Sequence, residues 1–283
     1  MKDFEGKVAA ITGGASGIGY AMAEAALDRG MKVAIADVEQ HALEKANIEL
    51  SKKGSVLAVQ TDVSSAIAMD NFAARTFDAY GSVQILFNNA GVDGHGAMWD
   101  LRAEDWEWTL GVNLWGVIHG IRVFSKYMVE NNYGHIVNTA SIAGLVSAPA
   151  SGPYTVSKHA VVALSEVLYG ELRNESKNVG VSVLCPSYVS TNIYTSSRNR
   201  DNVEKTPEWH AEQQAVADIA SPIFDDAMSA SSVANLCFSA IESDQFYILP
   251  HRDGSLPLVK QRMMEILENG SPSMRGPEEY PFS

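Results

Sequence analysis

Short apolar runs alternate along this chain with longer stretches in which apolar residues recur every three or four positions. Val8 to Thr12 and Lys32 to Asp37 are runs of the first kind, and between them Ile18, Met22 and Ala26 keep a helical period. Strand, helix and strand in that span have the size of a βαβ unit. The alternation continues: Val56 to Gln60 reads as a strand, Ser65 to Tyr80 as a helix with Ser64 as its N-cap, and Ile85 to Phe87 as a strand. Trp106 to Val129 holds one long helix or two. Ile136 to Thr139 is a fifth strand, Pro153 to about Arg173 an amphipathic helix, and Val181 to Cys185 a sixth strand. Buried apolar strands alternating with helices predict an α/β fold, a parallel sheet with helices on both faces.

The pattern loosens after Pro186. Residues 190–230 carry Thr, Ser, Asn and several charges, and Pro207 and Pro222 are expected to interrupt any long helix. This segment is read as a substrate lid. Ser232 to Ile241 predicts a further helix and Gln245 to Leu249 a last strand. Residues 254–283 form a C-terminal extension with one helix, Leu258 to Leu267, stopped by Asn269-Gly270 before a Pro-rich, mobile terminus. No linker divides the chain, so residues 1–283 are expected to form a single domain.

Composition narrows the classes. Hydrophobic residues make up 46% and charged residues 19% of 283 positions, ordinary values for a globular protein with a sizeable core. A formal charge of −13 with no basic run argues against nucleic acid and anionic membranes as partners. The two cysteines give no disulfide framework or metal knuckle, and Cys185, in an apolar run, reads as a core residue. The histidines form no metal pattern, and His95 and His251, both in loops, read as surface residues. Trp99, Trp106, Trp108 and Trp115 have a spacing suited to helix packing. Met1 to Lys7 holds no apolar signal core and no later stretch is a membrane span, which predicts a cytoplasmic protein. Asn174-Glu175-Ser176 then matches a glycosylation acceptor by coincidence.

Chemistry concentrates in three places. Thr12-Gly13-Gly14-Ala15-Ser16-Gly17-Ile18-Gly19 joins the first strand to its helix. Gly13, Gly17 and Gly19 let the backbone turn sharply and bring N–H groups toward an anion at the helix N-terminus, as dinucleotide binding requires. Asp37 ends the second strand, where a carboxylate accepts hydrogen bonds from an adenosine ribose and repels a 2′-phosphate. With no Lys or Arg in the loop or directly after Asp37, NAD is favoured over NADP. The third place is Tyr154-Thr155-Val156-Ser157-Lys158, which sets Tyr154 and Lys158 one turn apart on one helix face. A cation there would lower a phenol pKa that is about 10 in model peptides, giving an acid/base usable near neutral pH.

Over about residues 5–195 the chain resembles the short-chain dehydrogenase/reductase family. That family's Thr-Gly-x-x-x-Gly-x-Gly loop is matched by Thr12, Gly13, Gly17 and Gly19, and its Asn-Asn-Ala-Gly strand end by Asn88, Asn89, Ala90 and Gly91. Asn113, Ser141 and the Tyr-x-x-x-Lys pair Tyr154 and Lys158 complete the ordered set. The resemblance implies a Rossmann-like doubly wound parallel sheet of about seven strands, and an NAD-dependent oxidoreductase acting on a small-molecule alcohol or ketone. Tyr154 would take the substrate hydroxyl proton during oxidation, or donate one during reduction. Ser141 would hydrogen-bond the substrate oxygen, Lys158 would hold the nicotinamide ribose, and Asn113 would keep a water in a proton relay. The cofactor would lie on the loop of Gly13, Ser16, Gly17, Ile18 and Gly19, with Asp62 and Val63 flanking the adenine. Asn89, Ala90 and Gly91 would line its path. Pro186 precedes Val189 and Thr191, which match the segment that usually contacts the carboxamide.

Two departures stand out. Where the family usually has Pro-Gly after the sixth strand, this chain has Pro186-Ser187, which adds a Cβ near the expected nicotinamide. The family's glycine-rich ending after the last strand is replaced by Phe246-Tyr247-Ile248-Leu249-Pro250-His251. A non-catalytic dinucleotide-binding regulator is a competing reading, but a pure binder needs no proton-transfer tyrosine. A nucleotide-sugar epimerase or dehydratase shares Tyr-x-x-x-Lys, yet usually has different glycine spacing and a larger substrate domain.

For the substrate, the rim beyond the strand ends offers Val92, Met98, Leu145, Val146, Tyr188 and Tyr194, with Trp209, Phe224 and Met228 further on. Arg198 and Arg200 read as part of a solvated lid, leaving few fixed cations. This favours a secondary alcohol or ketone on a hydrophobic, aryl-bearing skeleton. A polyol or sugar using Asp93, His95 and Ser147 is the alternative. The resemblance also implies a homo-dimer or homo-tetramer through the helices holding Asn113 and Tyr154, where Ala160 and Ala163 would allow close packing.

Overall fold

Strand order places the cleft. Val8–Thr12 (β1), Lys32–Asp37 (β2), Val56–Gln60 (β3), Ile85–Asn88 (β4), Gly134–Thr139 (β5), Val179–Leu184 (β6) and Tyr247–Ile248 (β7) pair in parallel as β3-β2-β1-β4-β5-β6-β7. The order reverses between β1 and β4, so the chain leaves those strands in opposite directions and opens a crevice beyond their carboxyl ends. This is the Rossmann-like doubly wound sheet expected from the sequence. The computed structural model describes residues 1–175, 177–200 and 204–273. The expected mobile terminus from residue 274 onward and Ser176 of the Asn174-Glu175-Ser176 triplet lie outside the described residues.

The strands are apolar throughout because both sheet faces are covered. On one face Ile11, Val33 and Ile35 pack with Met22 and Ala26 of Gly17–Leu27 (α1) and with Phe238 of the late helix Ala230–Ser243. Leu43 and Leu50 of Gln40–Leu50 (α2) close that layer. On the other face Leu86, Ile136 and Val181 meet Phe72 of Ala66–Tyr80 (α3) and Phe124. The Phe72 and Phe124 rings stand edge to face at 5.6 Å. Replacing either ring with alanine is a loss of about 3–5 kcal/mol of stability.

The α3 cap falls one residue later than the sequence suggested. Ser64 donates its hydroxyl to Asp62 at 2.7 Å, so Ser65 accepts the Ala68 N–H instead. Trp106 to Val129 falls in two helices, Ala103–Leu110 (α4) and Gly116–Glu130 (α5), joined by a π turn at Gly111–Trp115 in which the Gly116 N–H reaches the Gly111 carbonyl. Of the tryptophans, Trp99 is exposed rather than packed, Trp115 is half-exposed with its ring 5.6 Å from that of His119, and Trp108 carries Arg200 over its ring at 4.9 Å. Gly152–Asn174 (α6) packs Val161 and Val162 on Val183 and Cys185, and burial pushes the Cys185 thiol up to about 12, an inert core residue.

The segment after β6 departs furthest from the sequence expectation. Pro207 and Pro222 do not prevent a long helix: Pro207–Asp225 (α7) is continuous. Pro207 occupies the first helical position, where its missing N–H would be unpaired anyway, and Thr206 caps the end by accepting from Trp209. Pro222 lies in the last turn, where it removes one intrahelical bond without ending the helix. Ala230–Ser243 (α8) follows, and the last strand is only two residues long. Arg252–Leu267 (α9) begins earlier than the expected Leu258, with Pro257 inside it. Its start buries His251, which is 1% exposed and not a surface residue.

Candidate active site

A cleft of about 920 Å³ runs along the carboxyl ends of the strands. Its first part is the turn from β1 into α1. Gly13 has φ +65°, and a Cβ there would lie 2.8 Å from the Ala90 Cα; a Cβ at Gly19 would lie 2.1 Å from the Gly13 carbonyl oxygen. Thr12 clamps the neighbouring strand end, its Oγ1 accepting from the Asn89 and Ala90 N–H groups at 3.0 and 3.1 Å. The Ser16 side chain makes no capping hydrogen bond and the first turn of α1 carries no acidic residue. The amide N–H groups there are therefore available to an anion.

Gly13, Ser16, Gly17 and Ile18 line the cleft, as do Asp62 and Val63, and Asn89, Ala90 and Gly91. So do Pro186, Val189 and Thr191. Gly19 does not; it lies beneath the loop, where only a glycine fits. Asp37 also lines the cleft, its carboxylate accepting from Ala15 N at 3.1 Å and Glu39 N at 3.1 Å. Burial raises its pKa, and those backbone hydrogen bonds act against the rise.

At the other end Ser141, Tyr154 and Lys158 converge. Ser141 follows β5 and caps a short 3-10 turn, accepting from Ala143 N at 3.1 Å while its hydroxyl donates to the Pro186 carbonyl at 3.3 Å. The Ser141 hydroxyl lies close enough to the Tyr154 phenol to act on its pKa, and the Lys158 ammonium lies 5.5 Å from the Tyr154 ring centre. Lys158 is 2% exposed and donates to the Thr139 carbonyl at 3.0 Å. Burial pulls its pKa down to about 8. The expected depression of the Tyr154 pKa is not found. Burial pushes this phenol well above its ordinary value, and the Ser141 hydroxyl offsets only part of the rise. Desolvation of both groups outweighs the attraction between them.

Asn113 sits in the π turn, fully buried and behind the cleft wall. Its amide holds the Val92 backbone at both ends, accepting from Val92 N at 2.8 Å and donating to Val92 O at 2.9 Å and to Ser157 Oγ at 3.2 Å.

Several residues of the segment after β6 line the cleft. Ser196 accepts from Asp93 N at 2.8 Å, and Arg198 and Asn199 hydrogen-bond Glu39. Arg200 is not solvated: its side chain is 13% exposed and pairs with Asp105 at 2.6 Å. Burial acts to raise the Asp105 carboxyl, but Arg102 and Arg200 hold it at about 2.

Of the expected substrate-side residues, Val92, Tyr188, Tyr194 and Phe224 line the cleft, whereas Met98, Leu145, Val146, Trp209 and Met228 do not. Val146 is instead buried against Leu258 of α9. Val216, Ile219, Ala220 and Ile223 of α7 take their place. Their spacing is a helical stripe that sequence periodicity could have found, had the two prolines not been read as breaks. Asp93 and His95 line the rim but are paired, Nε2 to Oδ2 at 2.8 Å, and Ser147 is exposed elsewhere.

The glycine cradle, the carboxylate ending β2 and the buried Tyr–Lys pair define a dinucleotide-binding oxidoreductase on a Rossmann-like sheet. The family model for short chain dehydrogenase matches residues 7–202. A "CLA biosynthesis dehydrogenase/reductase" of Lactiplantibacillus plantarum is 33% identical over 97% of this chain and 98% of its own. A "C alpha-dehydrogenase" of Sphingobium sp. strain SYK-6 is 31% identical over 98% of this chain and 91% of its own. The solved structure of a short-chain dehydrogenase/reductase from Burkholderia phymatum in complex with NAD superposes with a TM-score of 0.89. It is 41% identical, covering 98% of this chain and 99% of that one. The chain belongs to the short-chain dehydrogenase/reductase family.

Proposed function

We propose that this protein is an NAD-dependent dehydrogenase for a neutral secondary alcohol on a hydrophobic, aryl-bearing skeleton, or a reductase for the matching ketone. The observation that carries the substrate reading is the α7 wall: Val216, Ile219, Ile223 and Phe224 line the same cleft as Ser141 and Tyr154. Tyr188 and Tyr194 pack their rings on Phe224 at 5.4 and 5.0 Å, making an aromatic floor. The cleft is lined by the acidic Asp93, Glu104 and Glu107; His95 is paired with Asp93, and the nearby Arg200 with Asp105. An anionic substrate would meet repulsion there without an arginine fork to receive it. The similarity to a protein named a C alpha-dehydrogenase supports a dehydrogenation.

The cleft fits a dinucleotide at its other end. Gly13 and Gly19 let the turn pack against Ala90 and on itself, which leaves the uncapped first-turn amides of α1 for a pyrophosphate, and Asp37 presents a carboxylate to the position expected for the adenosine ribose. Arg198, the cation beside it, is engaged by Glu39 and so is not free to receive a 2′-phosphate. The NAD-bound relative supports the same choice. A nicotinamide held there would supply the hydride acceptor or donor. Tyr154 then moves the hydroxyl proton, Ser141 holds the substrate oxygen, and Lys158 holds the ribose. Asn113 fixes the Val92 backbone beside them. Residues 190–230 act as a lid on the single domain.

Specificity constants on matched aryl secondary alcohols and polyols, each with NAD and NADP, test the reading. It predicts preference for the aryl alcohols and for NAD. Better turnover of polyols refutes the substrate assignment, and equal use of both cofactors refutes the role of Asp37.

A further inference from the structure

We propose that His251 is a positioning residue for Ser141, acting through the single peptide group between Pro186 and Ser187. The N–H of that peptide donates to His251 Nδ1 at 3.2 Å. Its carbonyl, on the opposite edge, accepts from Ile142 N at 2.8 Å and from Ser141 Oγ at 3.3 Å. A peptide is a rigid plane, so holding one edge fixes the other. A donor engaged at its N–H also makes its carbonyl a stronger acceptor. His251 thereby sets both the place and the pull of the oxygen that holds the Ser141 hydroxyl.

The backbone that carries the ring is itself held. His251 is 1% exposed at the start of α9, and its carbonyl accepts from Ser255 N at 2.9 Å. Further along α9, Leu258 packs on Ile142 and Val146, and Arg262 donates to the Leu145 carbonyl at 3.1 Å. The C-terminal helix is thus fastened to the same short turn that presents Ser141. The two places where the sequence departs from the family's pattern, Ser187 and the ending at His251, are joined by one hydrogen bond. Ser187 is not at positive φ, so this backbone has no need of glycine there. For Nδ1 to accept, the neutral ring carries its proton on Nε2.

The inference rests on Ser141 as the group that holds the substrate oxygen. His251→Asn keeps a carbonyl oxygen at the position of Nδ1, whereas His251→Gln places it at that of Nε2 and His251→Phe has no acceptor. With the best alcohol of the panel above, His251→Asn is expected within about threefold of the parent kcat. The Gln and Phe variants are expected to lose roughly 10- to 100-fold, the scale of a small misplacement of a reacting group, with the dissociation constant for NAD within about twofold. A merely structural role would not rank Asn above Gln. Equal rates for Asn and Gln overturn the proposal. So does a protonated Nδ1 for His251 in the 15N spectrum of the wild-type chain, a measurement that needs no variant to fold. Ser141→Ala is measured alongside. If it keeps the parent rate, the active-site reading fails; if it is inactive while His251→Gln keeps the parent rate, the His251 proposal alone fails.

Discussion

Arg198 and Glu39 form a two-bonded ion pair: Nη2 lies 2.5 Å from Oε1 and Nε 3.3 Å from Oε2. The pair ties the segment after β6 to the residue that opens α2, two positions beyond Asp37, and Asn199 adds a third bond at 3.0 Å. The fork that a carboxylate gives an arginine fixes direction as well as distance. The segment whose residues line the cleft after β6 is therefore fastened beside Asp37.

Releasing that tie should speed cofactor exchange. Both side chains are about one third exposed, so screening leaves the pair about 0.5–1 kcal/mol, or roughly two- to fivefold in NAD dissociation rate. Burial acts to raise the Glu39 carboxyl, but hydrogen bonds from Arg198 and Asn199 outweigh it and hold it below its ordinary value. A depressed carboxylate contributes above its unfolded pKa and stops contributing as pH falls through its folded one. Stopped-flow release of NAD from Glu39→Gln should accordingly be faster than from the parent near neutral pH, with the gap closing in acid. Unchanged release would show that the pair does not restrain the segment.

Lys158 should be a liability to stability. Its pKa of about 8 lies below the ordinary 10.5, so across that interval the folded chain binds fewer protons than the unfolded one and stability rises with pH. Lys158→Met should therefore melt about 2–6 °C higher at pH 7 while losing turnover. A variant that melts lower would mean that the hydrogen bond to Thr139 outweighs the desolvation.

Most of the fold and the chemical core were legible because they rest on local patterns. Strands buried on both faces are apolar throughout, and a βα turn against a pyrophosphate needs glycines at fixed places. Tyr154 and Lys158 share a helix face by spacing alone. What escaped depends on contacts distant in sequence. The desolvation that raises the Tyr154 pKa follows from packing by several elements, and the burial of His251 from α9 folding back over residues 141–146. Arg200 reads as a solvated cation until α4 brings Asp105 and Trp108 to it. For α7 the signal was present, but Pro207 is a helix start as readily as a break.

The α7 wall should set substrate affinity. Ile223→Ala removes three carbons worth about 0.8 kcal/mol each if fully buried, and its half-buried position reduces the total to about 1 kcal/mol. The variant should show a roughly fivefold higher KM for an aryl alcohol with kcat little changed. An unaltered KM would place the substrate elsewhere.

Self-association should use the outer face of α6. Val156 and Val167 are 46% and 60% exposed, and the smaller Ala160 and Ala163 lie between them on one helical stripe. A second copy of the chain could approach closely there. Light scattering should find a dimer or tetramer for the parent and a smaller species for Ala163→Arg. A parent that is monomeric at micromolar concentration contradicts this.

Tyr154→Phe with a good alcohol substrate is the most direct measurement of the account's centre, because it removes one oxygen and leaves the ring, Lys158 and the cofactor cradle in place. Ser141 loses its phenol neighbour but keeps the Ala143 N–H and the Pro186 carbonyl. The prediction is NAD binding within about twofold of the parent and a fall in kcat of at least about 100-fold, the contribution expected of a positioned acid/base. Near-parent kcat in a variant that still binds NAD would contradict proton transfer by Tyr154.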